Sequence, residues 1–138
     1  MTVQTWLAQL QENGYRLTSA RRAVVATIAA SPRALTPVEV YDAARAEDPA
    51  LGLVTVYRTL EKLEELGLIQ RVHQPRGCQA FITAGTGHQH LLLCKKCGRT
   101  TLVEGDDLEQ FTRAVALKTG YEINEHWLQF FGLCEKCK

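Results

Sequence analysis

Residues 53–67, LVTVYRTLEKLEELG, lead within two residues into 69–82, IQRVHQPRGCQAFI. In the first stretch Leu53, Val56, Leu60 and Leu63 recur at intervals of three and four, which puts them on one face of a helix. Thr55, Arg58 and Lys62 fall on the opposite face, with Tyr57 near the boundary. This is an amphipathic helix docked on a core, and Gly67 is its stop. The second stretch changes period. Ile69–His73 and Cys78–Ile82 read as two short strands around the turn Gln74-Pro75-Arg76-Gly77, hence a hairpin.

Upstream the chain is helical. Val3, Trp6, Leu7 and Leu10 lie at helical spacing and Gly14 ends them. Thr18 is an N-cap for a second helix with an apolar stripe of Val24, Val25 and Ile28, stopped before Ser31-Pro32. Thr36-Pro37-Val38-Glu39 is a capping box with proline in the first turn, and it opens a third helix through about Glu47, ahead of Asp48-Pro49. Helices followed by a hairpin make a winged helix-turn-helix, with 53–66 as recognition helix and the hairpin as wing. Arg and Lys on a helix exterior also fit a plain solvated face, and Glu61, Glu64 and Glu65 oppose strong non-specific binding to polyanions. The overall charge of +1 is uninformative, but residues 1–36 hold Arg16, Arg21, Arg22 and Arg33 against Glu12 alone. That basic segment hints at a polyanion partner.

Thr83-Ala84-Gly85-Thr86-Gly87 is small and flexible in composition and reads as a hinge. Beyond it, His90–Cys94 and Thr100–Glu104 read as strands, Asp106–Lys118 as a helix with Leu108, Phe111 and Val115 inward, and Tyr121–Phe131 as a long strand. So few strands leave exposed edges, and pairing with a second copy would bury them. The expected class is α+β: a winged helix-turn-helix DNA-binding domain over 1–82, a hinge over 83–88, and a small α/β dimerisation and metal-binding domain over 89–138. No apolar run approaches a membrane span, and the N-terminus has no basic then apolar leader, so a cytoplasmic protein is expected.

Cys94-Lys95-Lys96-Cys97 and Cys134-Glu135-Lys136-Cys137 account for four of the five cysteines. Each pair turns two thiolates to one side, and two pairs complete the closed S₄ set that structural zinc prefers. Small buried residues or two redox dithiols are the other readings of the same residues. Cys78, the fifth, reads as a small apolar residue on the wing. His88-Gln89-His90, Glu109 and His126 are a second constellation. Alternation in an extended segment puts His88 and His90 on one side, and three imidazoles with a carboxylate can form an N₃O site for a divalent transition metal. Glu109 equally completes a capping box with Asp106, His88 and His90 fit an exposed linker, and His126 fits a satisfied buried imidazole.

The chain resembles the ferric uptake regulator family of bacterial metal-responsive repressors over nearly its whole length. Arg16-Leu17-Thr18-Ser19-Ala20-Arg21, Thr55-Val56-Tyr57-Arg58-Thr59-Leu60, His88-Gln89-His90, the two cysteine pairs with Gly98, and His126 carry the likeness. The resemblance implies an N-terminal DNA-binding domain, a C-terminal dimerisation domain, and regulatory metal near the hinge. It implies that Thr55, Tyr57 and Arg58 meet DNA in the major groove and that Arg16 reaches the minor groove of an AT-rich operator. It assigns Cys94, Cys97, Cys134 and Cys137 to structural Zn²⁺, and His88, His90, Glu109 and His126 to the regulatory ion. A further site in many members uses His where this chain has Gln89 and Leu91, with a wing ligand where it has Gln70 or Ala84, so that site is not expected.

The expected function is a homodimeric, metal-dependent transcriptional repressor on palindromic operator DNA, with no enzymatic activity and no small organic substrate. Regulatory Zn²⁺ and zinc-uptake genes are favoured, because imidazole and carboxylate ligands prefer zinc to iron or manganese. Two His in His88-Gln89-His90, where iron-type members often carry His and Asp, point the same way. An Fe²⁺ or Mn²⁺ regulator and a peroxide sensor are the alternatives within the family, and a small metallohydrolase is the alternative outside it.

Overall fold

The structure, a computed structural model, describes residues 3–74, 77, 79–84, 89–104 and 108–138. It divides into two compact units, 1–84 and 85–138. Together they are α+β, with the winged helix-turn-helix in the N-terminal unit.

That unit contains α1 (Val3–Glu12), α2 (Ser19–Ala30), α3 (Pro37–Ala44), α4 (Leu53–Glu65) and the strands β1 (Ile69–His73) and β2 (Gln79–Thr83). Local signals place the helix ends. Thr18 accepts from Arg21 N, and Thr36 and Glu39 cap each other's backbone N–H. At the end of α4, Leu68 N donates to Leu63 O at 3.0 Å and Gly67 N to Glu64 O at 2.9 Å. This Schellman closure needs a left-handed residue, and Gly67 supplies it with φ 74°. The chain then turns straight into β1.

Trp6, Leu10, Val24, Val25, Ile28, Val40, Val56, Leu60 and Leu63 form the core of the unit, each almost fully buried. β1 and β2 pair antiparallel from Ile69↔Thr83 to His73↔Gln79. Leu35 pairs with Phe81 in both directions and extends the hairpin onto the α2–α3 connection. Two expectations shift. α3 ends at Ala44 rather than near Glu47, because the Ala44 carbonyl accepts from both Glu47 N and Asp48 N in a tight turn ahead of Pro49. Thr83, expected in the hinge, closes β2.

The C-terminal unit holds β3 (Gln89–Cys94), β4 (Thr100–Glu104), α5 (Leu108–Thr119) and β5 (Gln129–Gly132). The sheet order is β4-β3-β5, with β4 antiparallel to β3 and β5 parallel to it. The long last strand expected over Tyr121–Phe131 is cut to four residues. Only Gln129–Gly132 pair with β3, opposite Leu91–Cys94, and residues 121–128 are irregular. His126 therefore precedes β5 instead of lying in it. Phe111 is not inward: it is 67% exposed, and α5 has no buried residue. Its apolar side faces the irregular segment before β5 across a groove of about 220 Å³ lined by Phe111, Val115, Ile123, Trp127 and Leu128. The Asp106 cap, the Pro75-Arg76 turn and Cys78 lie outside the described residues. No helix among the described residues is long and apolar enough to cross a membrane.

Leu63 is fully buried at the centre of the N-terminal core. Leu63→Ala should destabilise that unit by about 2–5 kcal/mol, read as a lower urea midpoint for its helical signal.

Candidate metal centre and nucleic-acid interface

β3 and β5 run side by side; β3 ends at Cys94, and β5 ends at Gly132, two residues before Cys134. Cys94 closes β3, and Lys95 N donates to Gly132 O at 2.8 Å, so the parallel ladder carries into the first knuckle. Gly98 N returns to Cys94 O at 3.0 Å with Gly98 at φ 77°, a turn that a β-branched residue would strain. The second knuckle closes through Cys137 N to Cys134 O at 2.9 Å. Across the two, Cys134 N donates to Cys94 Sγ at 3.3 Å and Cys97 Sγ stands 3.7 Å from Cys134 Sγ.

All four sulphurs lie within 4.8 Å of one another. A tetrahedron with Zn–S bonds of about 2.3 Å has S···S edges of roughly 3.8 Å. The donor set and its spacing therefore fit one zinc ion. Separate redox dithiols would not bring Cys97 so near Cys134. Backbone N–H groups of Cys97 and Cys134 aimed at Cys94 hold its thiol down to about 6. The Cys134 thiol is also lowered, by a hydrogen bond from Cys137. Cys137 donates that bond and is pushed up to about 12. Without an ion the cluster thus keeps at least one proton.

Of the proposed regulatory set, the structure brings two residues together. His90 is buried on β3, and its ring lies 5.4 Å from that of His126, tilted by 33°. Two imidazoles sharing one ion through Zn–N bonds of about 2.0–2.1 Å put their centroids roughly 5 Å apart. Glu109 is in the first turn of α5, exposed, and paired with Arg113 at 2.6 Å. His88 lies outside the described residues. Among the described residues, the four cysteines are the one group that gathers three or more metal donors closely.

In the N-terminal unit, α4 is fixed to the wing by Arg71. Its guanidinium donates twice to Glu64, at 2.9 and 2.8 Å, donates to Gln79, and lies 5.1 Å over the Phe81 ring. Glu64 raises the Arg71 pKa further above its ordinary value. The outer face of α4 carries Val54, 63% exposed, then Tyr57, 46% exposed, with Arg58 and Glu61 exposed beside them. Thr55 is half-buried on the flank. Val54 escaped the sequence reading, although its i, i+3, i+4, i+7 relation to Tyr57, Arg58 and Glu61 is visible there. Arg16 is exposed in the α1–α2 connection.

A recognition helix braced to its wing, in a chain whose second unit gathers four cysteine sulphurs, defines a metal-binding, DNA-binding transcription regulator. The profile of the Ferric uptake regulator family matches residues 12–131. The Ferric uptake regulation protein of Bacillus subtilis is 32% identical over 133 residues, 94% of this chain and 89% of that protein. The Helicobacter pylori ferric uptake regulator has the same fold, with TM-score 0.76 at 23% identity over 99% of this chain and 94% of that one. So has a zinc uptake regulator complexed with zinc and DNA, with TM-score 0.72 at 23% identity over 99% and 95%. This chain belongs to the ferric uptake regulator family. Members are transcription regulators, not enzymes, and the metallohydrolase alternative falls with that.

Zinc competes with protons for these thiols, so its apparent affinity should fall as pH falls. Binding must displace the Cys137 proton, held up to about 12, and proton release should be measurable by calorimetry in two buffers of different ionisation enthalpy. Cys134→Ser should lose stoichiometric zinc and melt the C-terminal unit while the helical signal of residues 1–84 persists.

Proposed function

We propose that this chain is a homodimeric repressor that binds palindromic, AT-rich operator DNA when it carries a regulatory divalent ion, with zinc as that ion and zinc-uptake genes as its targets. The observation that carries the reading is the outer stripe of α4, where Arg58 stands beside Tyr57 and Val54 on a helix locked to its wing. Arg58 makes no hydrogen bond or ion pair among the described residues, so its guanidinium is available for a guanine edge or a phosphate. Val54 and the Tyr57 ring offer apolar surface to thymine methyl groups. Thr55, on the flank, suits a phosphate contact. Arg16 suits the narrow, strongly negative minor groove of an A·T tract. A zinc uptake regulator of the same fold is complexed with zinc and DNA, which supports the DNA-binding reading in general.

A palindrome calls for two copies related by a two-fold axis. The C-terminal unit supports a dimer, because Trp127, Phe130, Phe131 and Leu133 are each about half exposed or more along the β5 edge. His88, His90, Glu109 and His126 are the proposed ligands of the regulatory ion. When bound, the ion would supply a fixed charge that cross-links these side chains. Glu109 must first leave Arg113, and an exposed i,i+4 pair is worth only about 0.3–0.5 kcal/mol. That pairing is too weak to withhold Glu109 from a cation. Zinc is favoured by its place above iron and manganese in the divalent affinity order. The relationship to the Bacillus subtilis ferric protein supports iron as the second reading.

Protein retaining structural zinc but stripped of the regulatory ion should bind operator DNA weakly in fluorescence anisotropy. Zinc should restore binding at lower free concentration than ferrous iron or manganese. Equal affinity with and without added metal would sink the reading. Tyr57→Ala and Arg58→Ala should each cost about 1–3 kcal/mol of operator affinity, and His126→Ala should abolish the metal response while leaving the four-cysteine zinc in place.

A further inference from the structure

We propose that Tyr15 is a positioning residue for operator recognition: its ring gathers Arg21 and Lys62, and through Arg21 it fixes Arg16 relative to α4. The inference rests on the DNA-binding reading above. α1 closes with Gly14 N donating to Gln11 O at 3.1 Å and Tyr15 N to Leu10 O at 2.9 Å, a Schellman closure with Gly14 at φ 84°. Tyr15 is thereby set at a defined point, half-buried against the core.

Two cations stand over its ring. The Arg21 guanidinium carbon is 4.8 Å and Lys62 Nζ is 5.2 Å from the centroid, both within cation–π range. Arg21 comes from α2 and Lys62 from α4, one turn beyond Arg58. Arg21 is held at a second point, because its Nη1 donates to the Arg16 carbonyl at 2.6 Å. Thr18 N donates to the same oxygen at 3.2 Å. The Arg16 main chain is thus held from two sides, while its own guanidinium makes no hydrogen bond or ion pair among the described residues. A loose, fully solvated Arg16 would need none of this bracing. The arrangement ties the proposed minor-groove reader to the proposed major-groove helix through one aromatic ring.

Lys62 also pairs with Glu65 at 3.3 Å, so it is restrained whether or not Tyr15 is present. The sensitive link is Tyr15 to Arg21 to Arg16. Tyr15→Leu keeps an apolar side chain against the core and removes the π face. Tyr15→Phe keeps the face and removes only the hydroxyl. Arg21→Met removes the donor to Arg16 with little change in volume.

The experiment is a double-mutant cycle on the zinc-loaded, full-length protein, measured by fluorescence anisotropy on an operator and on a copy whose minor-groove A·T tract is replaced by G·C. Wild type should prefer the A·T operator. Tyr15→Leu and Arg21→Met should each weaken binding to it about three- to ten-fold and reduce that preference. In an Arg16→Ala background neither should cost anything further, and Tyr15→Phe should behave as wild type. A full additional loss in the Arg16→Ala background would overturn the proposal, as would Tyr15→Phe failing like Tyr15→Leu. If Tyr15→Leu unfolds, the Arg21→Met arm decides. Failure of the underlying DNA reading is distinct, because wild type itself would then not bind.

Discussion

Among the described residues, the C-terminal unit buries only Leu91, Leu93 and Cys94 as apolar side chains, with His90 and Thr100 beside them. Fully burying a Leu contributes about 1.5–3 kcal/mol, and ordering one residue costs about 1–2 kcal/mol of backbone entropy. So thin a core cannot hold a parallel β3–β5 pair whose strands are some forty residues apart in sequence. The junction of the two cysteine knuckles at the end of that pair is the constraint on which the unit depends. It brings the last residues of the chain back to β3 and sets the register that starts at Leu91↔Gln129. It also leads the chain back past β3 so that His126 meets His90.

The N-terminal unit is built the opposite way. Its core is filled by side chains of α1, α2, α3, α4 and the hairpin. Its polar contacts serve orientation. Arg71 grips Glu64 with two hydrogen bonds and covers Phe81, so β1 and α4 move as one piece. A bidentate guanidinium–carboxylate pair fixes direction as well as distance. Ser19 Oγ to Asp48 Oδ2, at 3.1 Å, ties the start of α2 to the connection that delivers α4. A reading head has to keep its side chains at fixed spacing against a rigid duplex, and these contacts supply that stiffness.

What could be read from sequence was what is decided within a few residues. Thr18 and Thr36 announce their helices because a cap acts over three positions, and Gly67 announces an end because only a left-handed residue closes it. The cysteine pairs were legible for the same reason: each knuckle is a local turn, and thiolate chemistry supplied the long-range link. The errors sit where distant elements decide. Phe111 has the spacing of a core residue, yet no layer covers it within the described chain. The strand expected from Tyr121 forms only from Gln129, and no local pattern records where pairing with β3 sets in. Val54 faces outward, although the spacing of apolar residues on a helix by default reads as inward. The meeting of Arg21 and Lys62 over Tyr15 is not legible either, since Lys62 lies on α4, remote from Tyr15 in sequence.

The contrast between the units bears on where regulation can enter. A ligand shifts a population only by its differential affinity for two states, and moving one from 1:99 to 99:1 takes about 5.5 kcal/mol. The described core of the N-terminal unit is closely packed from α1 to the hairpin, so a ligand-dependent difference finds less room there. The four-cysteine site has the opposite defect: it joins β3 to the end of the chain, so an ion that came and went there is expected to act on folding before regulation. The His90–His126 pair avoids both. It belongs to the thinly packed unit and is brought together by the clasp without being part of it. The carboxylate proposed to join it, Glu109, is committed only to an exposed pair with Arg113. An ion bound at that pair, as proposed, would act on the C-terminal unit without occupying the clasp that closes it.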